Sequence, residues 1–360
     1  MSGRILLVGV LMAVGLFVQC AKDGPVPVPP EEPDPVDPPE WLIPEDEILD
    51  GGPGRDGIPA LFSPFFISAE EATYLADEDI VLGLKFGGEI RAYPHLILDW
   101  HEIVNDRLGE EHICITYCPL TGTGVAWDRK LNGELTDFVI SGLLYNSNMI
   151  AYNRETDSNW SQMLLRCVNG EQIGERIKTY QLIETTWKTW KTLWPETKVL
   201  SRATGHNQNY NTYPYGNYRT NNNTLIFPVD IEDNRLPWKE RVLGVVSGGS
   251  AKAFRFETLP ETGIGVINDG LPGKNIVVAG SREKELLVAF GRKLDDGKNL
   301  TFTPVQDALP VIMTDQEGNR WNIFGEAVSG PRQGTKLPHV DAFIGYWVAW
   351  GAFYPGLKFR

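Results

Sequence analysis

Apolar positions along the chain fall in short runs broken by glycine, asparagine and aspartate, the spacing of strands and tight turns. The segments VLGLKFGGEIRAY (Val81 to Tyr93) and VLGVVSGGSAKAF (Val242 to Phe254) each predict two short strands. A Gly-Gly turn joins them in both, Gly87-Gly88 and Gly248-Gly249. The run ICITY (Ile113 to Tyr117) predicts a strand, and Pro119 should end it because proline cannot donate to a ladder. WKTWKTLWPETKVL from Trp187 and WVAWGAFYPGLKF from Trp347 share an aromatic spacing that predicts a short helix stopped by Pro195 or Pro355.

These segments match in order, as do IVND (Ile103 to Asp106) with VIND (Val266 to Asp269) and VAWDRKL (Val125 to Leu131) with VAFGRKL (Val288 to Leu294). The reading is an internal duplication: a first module over 57–205, an Asn- and Tyr-rich linker over 206–240, and a degenerate second repeat over 241–360. The expected class is α+β with strands dominating, two related modules packed about a pseudo-two-fold axis.

The chain begins with Arg4, the apolar run Ile5 to Val18, then Gln19 and Cys20. That order of charge, apolar core and cysteine reads as a secretory signal over 1–20 with Cys20 lipidated. The run falls short of the roughly 18 residues that span a bilayer. Residues 21–55, dense in proline and carboxylates, read as an extended tether. The expected location is therefore the bacterial cell envelope, exported and lipid-anchored, periplasm-facing or on the surface, with the outer membrane favoured.

The formal charge of −14 excludes nucleic acid as a partner, since phosphate neutralisation needs clustered Lys and Arg. Membrane contact is expected through the lipid anchor alone, which leaves a small molecule, a glycan or another protein as partner. With 42% hydrophobic residues and 11 tryptophans, the rest of the chain can bury one large core or two smaller ones. Cys114, Cys118 and Cys167 remain after Cys20, an odd number in an oxidising compartment. Cys114 and Cys118 lie too far apart along one strand face to bond each other, so Cys167 is the disulfide partner open to Cys114.

The repeats separate kept residues from lost ones. Kept are the Gly-Gly turns, Asn105-Asp106 with Asn268-Asp269, Trp160 with Trp321, and Trp187 and Trp190 with Trp347 and Trp350. These read as turn formers and core aromatics. Lost in the second copy are Cys118, aligned with Ser281, His101, aligned with Ile264, and Glu102, aligned with Gly265. Cys118 stands at a strand end beside the stretch Thr121-Gly122-Thr123, whose backbone N–H groups could receive an oxyanion. His101 and Glu102 lie a hairpin's length upstream, so the candidate catalytic set is Cys118 as nucleophile, His101 as base and Glu102 orienting the imidazole. Arg91, Ser141, Asn146, Arg154 and Gln162, with Thr121, Gly122 and Thr123, are the candidate pocket residues; Asn148 belongs with them. If a metal binds, His101 and Cys118, with His95 or His112, are ligands that suit copper or zinc, although no zinc-finger or HExxH spacing occurs. No cofactor is required by the sequence.

The string GEIRAYPHLILDWHEIVNDRLG…ICITYCPLTGTGVAWDRKL…SGLLYNSNMIAYNRETDSNWSQ resembles the bacterial family DUF3179, over about Asp56 to Arg219. The family name implies no reaction; the resemblance does imply an exported protein. Members often carry a second cysteine three positions after the one matching Cys118, where this chain has Thr121. That departure weighs against dithiol redox chemistry or a two-thiolate metal site and favours a role for one sulfur. Three readings follow: a cysteine-nucleophile hydrolase or acyl transferase, a non-catalytic metal- or cofactor-binding protein, and a surface protein whose Tyr210, Tyr213, Tyr215 and Tyr218 contact glycan or another protein.

Overall fold

A computed structural model describes residues 40–360. The signal segment, Cys20 and the first part of the tether lie outside the described residues. Strands dominate, with three α-helices of seven residues each: α1 (His95–His101), α2 (Trp187–Leu193) and α3 (Trp347–Phe353). None is long and apolar enough to cross a membrane. The expected α+β class with strands dominating holds.

Much of the element order over Ile80–Leu200 recurs over Arg241–Phe359, with a 3₁₀ turn at Phe256–Thr258 in the place of α1. In the first half Ile80–Phe86 pairs with Glu89–Pro94 and with Ile183–Thr186, and in the second Arg241–Ser247 pairs with Ser250–Arg255 and with Asp341–Tyr346. Both Gly-Gly turns place two consecutive residues at positive φ, 56° and 83° at Gly87 and Gly88, and 57° and 79° at Gly248 and Gly249, as a two-residue hairpin loop requires. The meander Ile103–Leu108, Glu111–Cys118, Thr123–Asp128 likewise has a counterpart in Gly265–Leu271, Lys274–Ser281, Leu286–Gly291. Pro119 does end its strand, at Cys118, and α2 and α3 stop just before Pro195 and Pro355.

Several kept residues make the same contact in both halves, which explains their pattern. Asn105 donates to the carbonyl of Phe138 (2.7 Å) and accepts from its N–H (3.0 Å); Asn268 does the same to Phe302 (2.8 and 2.9 Å). Each amide clamps the meander to the next sheet. The Trp190 ring packs against Gly83 and the Trp350 ring against Gly244, so close that a Cβ would sit 2.1 and 2.2 Å from ring carbons. These are packing devices.

The boundaries read from the sequence need three corrections. First, the halves do not have separate cores. Trp190 and Trp194 pack on Phe324, and Cys118 and Leu120 share a cluster with Tyr346 and Trp350. The backbone N–H of Tyr346 donates to the carbonyl of Thr121 (2.7 Å), and the Thr185 hydroxyl donates to that of Lys284 (2.6 Å). Second, the end of the tether is part of the fold: Ile48–Asp50 pairs with the strand Phe138–Tyr145, and Ile43 is buried against Ile150 and Val168. An apolar WLI within the acidic stretch supplies that anchor. Third, residues 206–240 are no free linker. Tyr210 and Tyr218 are buried, Tyr213 and Tyr215 pack partly buried on the core, and Ser147 and Asn146 tie this segment down through Phe227 (2.6 Å) and Asp230 (2.7 Å). Those tyrosines face inward, so they offer no exposed platform for a glycan.

Candidate functional site

Helix α1 follows Pro94, which cannot continue the preceding strand's ladder, and ends at Glu102. Glu102 adopts the left-handed conformation (φ 56°), with its N–H bonded to the carbonyl of Leu98 (2.8 Å). A buried glutamate in that region costs free energy of order 1–3 kcal/mol, a local strain that the surrounding packing must hold. The turn feeds the strand Ile103–Leu108, which pairs antiparallel with Glu111–Cys118. The carbonyl of Glu102 accepts from Tyr117 (2.7 Å), so its side chain arrives beside Cys118. The hairpin expected from the sequence therefore does bring an upstream group to the thiol. That group is Glu102, and not His101.

His101 faces elsewhere. Its Nδ1 contacts the carbonyl of Pro59 (2.7 Å) and its Nε2 the Tyr210 hydroxyl (2.5 Å), so both ring nitrogens are taken. Burial holds its pKa down, to about 4, the Pro59 carbonyl opposing. A neutral imidazole locked between two partners positions the loop at Pro59 and has no free nitrogen for a thiol proton.

The Cys118 thiol is 1% exposed, with Sγ 3.8 Å from the Ser147 carbonyl. Burial raises its pKa, and so does the charge of Glu102; the Thr121 hydroxyl and the N–H groups of Met149 and Thr121 oppose this, and the balance is about 11. Burial also pushes Glu102 up to about 8, with the Tyr215 hydroxyl (3.2 Å from Oε1) opposing and Asp99 adding to the rise. Near neutral pH both groups hold their protons. Glu102 takes part in no ion pair among the described residues.

Above this pair lies a cavity of about 370 Å³, at the lower end of the ~300–1,000 Å³ common for small-molecule sites. Ile140, Leu144 and Met149 make its apolar wall, the segment from Gly51 to Pro59 a second, and Pro214, Tyr215 and Phe227 a third. Asp99, Glu102 and Cys118 give it a polar floor. His95 and Asp99, four residues apart, share one face of α1, and Glu102 follows from the left-handed turn that ends the helix. Asp99 accepts from Arg219 through Oδ2 (2.6 Å), and its Oδ1 is buried without a partner. The same face carries His95, whose Nε2 is 3.7 Å from Glu184.

None of the nine candidate pocket residues lines this cavity. Thr121, Thr123 and Gln162 join Asn148 and Thr116 in a closed buried network: Asn148 donates to Thr121 (2.9 Å) and Gln162 (2.8 Å), Thr123 to Gln162 (2.6 Å), and Gln162 to Thr116 (3.0 Å). The two hydroxyls are thus committed to holding the turn after Cys118, and they do not form an open oxyanion pocket. Gly122 sits under the Tyr346 ring. Arg91 pairs with Asp106 and Glu89, and Arg154 with Asp56 (3.1 Å) at the surface. Ser141 bonds the carbonyl of Ile150, and Asn146 accepts from the N–H of Asp230. Cys114, Cys118 and Cys167 are all buried free thiols, so the Cys114–Cys167 disulfide is not formed. Among the described residues no group of three or more His, Cys, Asp and Glu gathers as metal ligands, and His112 lies at the far end of its strand from Cys118.

A family model, DUF3179, described as a protein of unknown function, matches residues 55–357. The chain belongs to that family. The match runs well past Arg219, so the DUF3179 unit takes in both halves and the segment between them. Comparison with curated proteins and with solved structures finds no match to either.

The sequence did not single out Asp99 or Trp100, and it offered Tyr215 as a surface contact for glycan or protein, not as a partner of Glu102. The signal for Asp99 was its helical spacing from His95. Tyr215 carried no such signal, because it reaches Glu102 from more than a hundred positions downstream.

Proposed function

We propose that this DUF3179 protein is an exported lipoprotein of the cell envelope that binds a small, largely apolar molecule over Cys118 and Glu102. One observation carries the reading: a buried carboxyl with no cationic partner stands at the floor of a mostly apolar cavity. Buried acids without a partner are costly and concentrate at functional sites. Trp100 lines the cavity, so occupancy is measurable by tryptophan emission. Small apolar compounds are expected to shift that emission saturably in the full-length protein, and Met149→Trp, which fills the cavity, should abolish the shift while leaving the circular dichroism intact. An unchanged response in Met149→Trp would remove the reading.

The recurrent element order supports taking the halves as duplicated modules about an approximate two-fold axis. On that reading the second half kept the clamps and the Trp-on-Gly contacts and lost the site, with Ser281 and Gly265 in place of Cys118 and Glu102.

A second reading, a cysteine nucleophile for acyl transfer, is favoured by the backbone N–H groups of Met149 and Thr121, which oppose the rise in the thiol's pKa. Its base would be Glu102. Alkylation distinguishes the two. Cys118 is expected to react with iodoacetamide slowly at pH 7, with a rate that climbs toward pH 11 and is unaffected by His101→Ala, read by mass spectrometry with Cys114 and Cys167 as controls. Fast labelling at pH 7 that is lost in Glu102→Gln would favour the nucleophile.

A further inference from the structure

The cavity's lining is one-sided in its chemistry. Its ionisable members are Asp99, Glu102, Cys118 and Tyr215, all of which are neutral or negative, and no lysine, arginine or histidine borders it. The nearest cation, Arg219, is spent on Asp99 Oδ2 and lies 3.6 Å from the centre of the Tyr213 ring. Asp99 is 4% exposed and lines the cavity, yet its Oδ1 has no hydrogen-bond partner and is open to a donor. Glu102, in the left-handed turn that ends α1, lines the same cavity, its Oε1 held by Tyr215. Trp100 and Tyr215 add two aromatic side chains to the walls.

We propose that the ligand of this cavity carries a cationic ammonium head, seated between the carboxyl groups of Asp99 and Glu102, with its apolar body against Ile140, Leu144 and Met149. The proposal rests on the small-molecule reading above and names its substrate class. A carboxylate or phosphate would meet two acids, with the one neighbouring cation, Arg219, already held by Asp99 Oδ2. A neutral alcohol could donate one hydrogen bond to Asp99 but would gain nothing from ionising Glu102. An ammonium supplies three donors, enough for Asp99 Oδ1 and the Glu102 carboxyl together, and the aromatic walls favour a cation further. Glu102 is protonated in the empty site near neutral pH, with Asp99, Cys118 and Tyr215 facing it. Ammonium binding therefore ionises it: the carboxyl O–H bond breaks, the carboxylate pairs with the ammonium, and one proton passes to solvent.

The test is titration calorimetry of the full-length protein at pH 6.5, repeated in two buffers of different ionisation enthalpy so that proton release is counted. The probes are primary amines of graded size up to 2-phenylethylamine, each with its matching alcohol and carboxylate. The expected result is that an amine binds about ten-fold or more tighter than its alcohol, the carboxylate does not bind, and close to one proton is released per amine. In Glu102→Gln the proton release should vanish and the amine lose its advantage, while alcohol affinity stays within about two-fold. Asp99→Asn, which can still accept from Arg219, should weaken the amine alone. If an alcohol or carboxylate binds as tightly as its amine, or if amines bind without proton release, the cationic assignment is overturned and the cavity reading survives. If no member of the series binds, both fall.

Discussion

Glu102→Gln is expected to make the protein more stable, by about 5 kcal/mol above pH 8 and by almost nothing near pH 4.5. In the folded chain burial holds this carboxyl's pKa near 8, while in the unfolded chain it returns to about 4.5. Between those values the unfolded state sheds the proton and the folded state keeps it. The unfolded state then binds fewer protons, so stability falls as pH rises through the window and levels off above 8. Glutamine has the shape of the protonated acid and nothing to titrate. His101 acts in the opposite sense: with its folded pKa depressed to about 4 from 6.5, it costs stability as pH falls through that range. From about pH 4.5 to 6.5 the two slopes offset each other, and above 6.5 Glu102 acts alone. Urea midpoints of the wild type and Glu102→Gln at pH 5.5, 7 and 9, at constant m-value, check this. A difference that stays the same at all three would mean that Glu102 is ionised in the folded protein, and the charge argument for its cavity would go with it.

Gly83→Ala should destabilise by about 3 kcal/mol, a large effect for one methyl group. The Trp190 ring cannot retreat, because its Nε1 donates to Thr197 (3.0 Å) and Phe324 packs beside it from the other half. Gly244→Ala meets the same clash under Trp350, whose Nε1 is buried without a partner. That ring has no hydrogen bond to lose when it shifts, so the second substitution should cost less. Chemical unfolding of both variants reads the comparison directly; equal losses would mean that the hydrogen bond to Thr197 does not hold the ring.

Much of the frame was legible in the sequence because it rests on local rules. The Gly-Gly turns, the strand ended by Pro119 and the helices stopped by Pro195 and Pro355 each follow from backbone geometry within a few residues. Comparing the two similar halves of the sequence also marked Trp190 and Trp350 as packing residues. It failed on His101, which differs between the halves just as Glu102 does. Its partners, Pro59 and Tyr210, come from segments outside the repeated frame. The polar pocket set failed for a related reason. Thr121, Thr123, Asn148 and Gln162 looked like ligand contacts because they are hydrophilic among apolar strand residues, yet four such groups that satisfy one another form a stable interior network at no cost in solvent exposure. The sequence could not reveal that closure, since it joins positions far apart in the chain.

The Asn- and Tyr-rich segment 206–240 contains no strand among its residues, only a short 3₁₀ turn at Tyr218–Thr220, yet it supplies Pro214, Tyr215 and Phe227 to the cavity. The sheets fix where Cys118 stands and supply one wall through Ile140, Leu144 and Met149, while a stretch free of sheet register supplies another. On the proposed reading, insertions or exchanges within that stretch would retune the ligand while the paired strands, and the thiol they position, stay as they are.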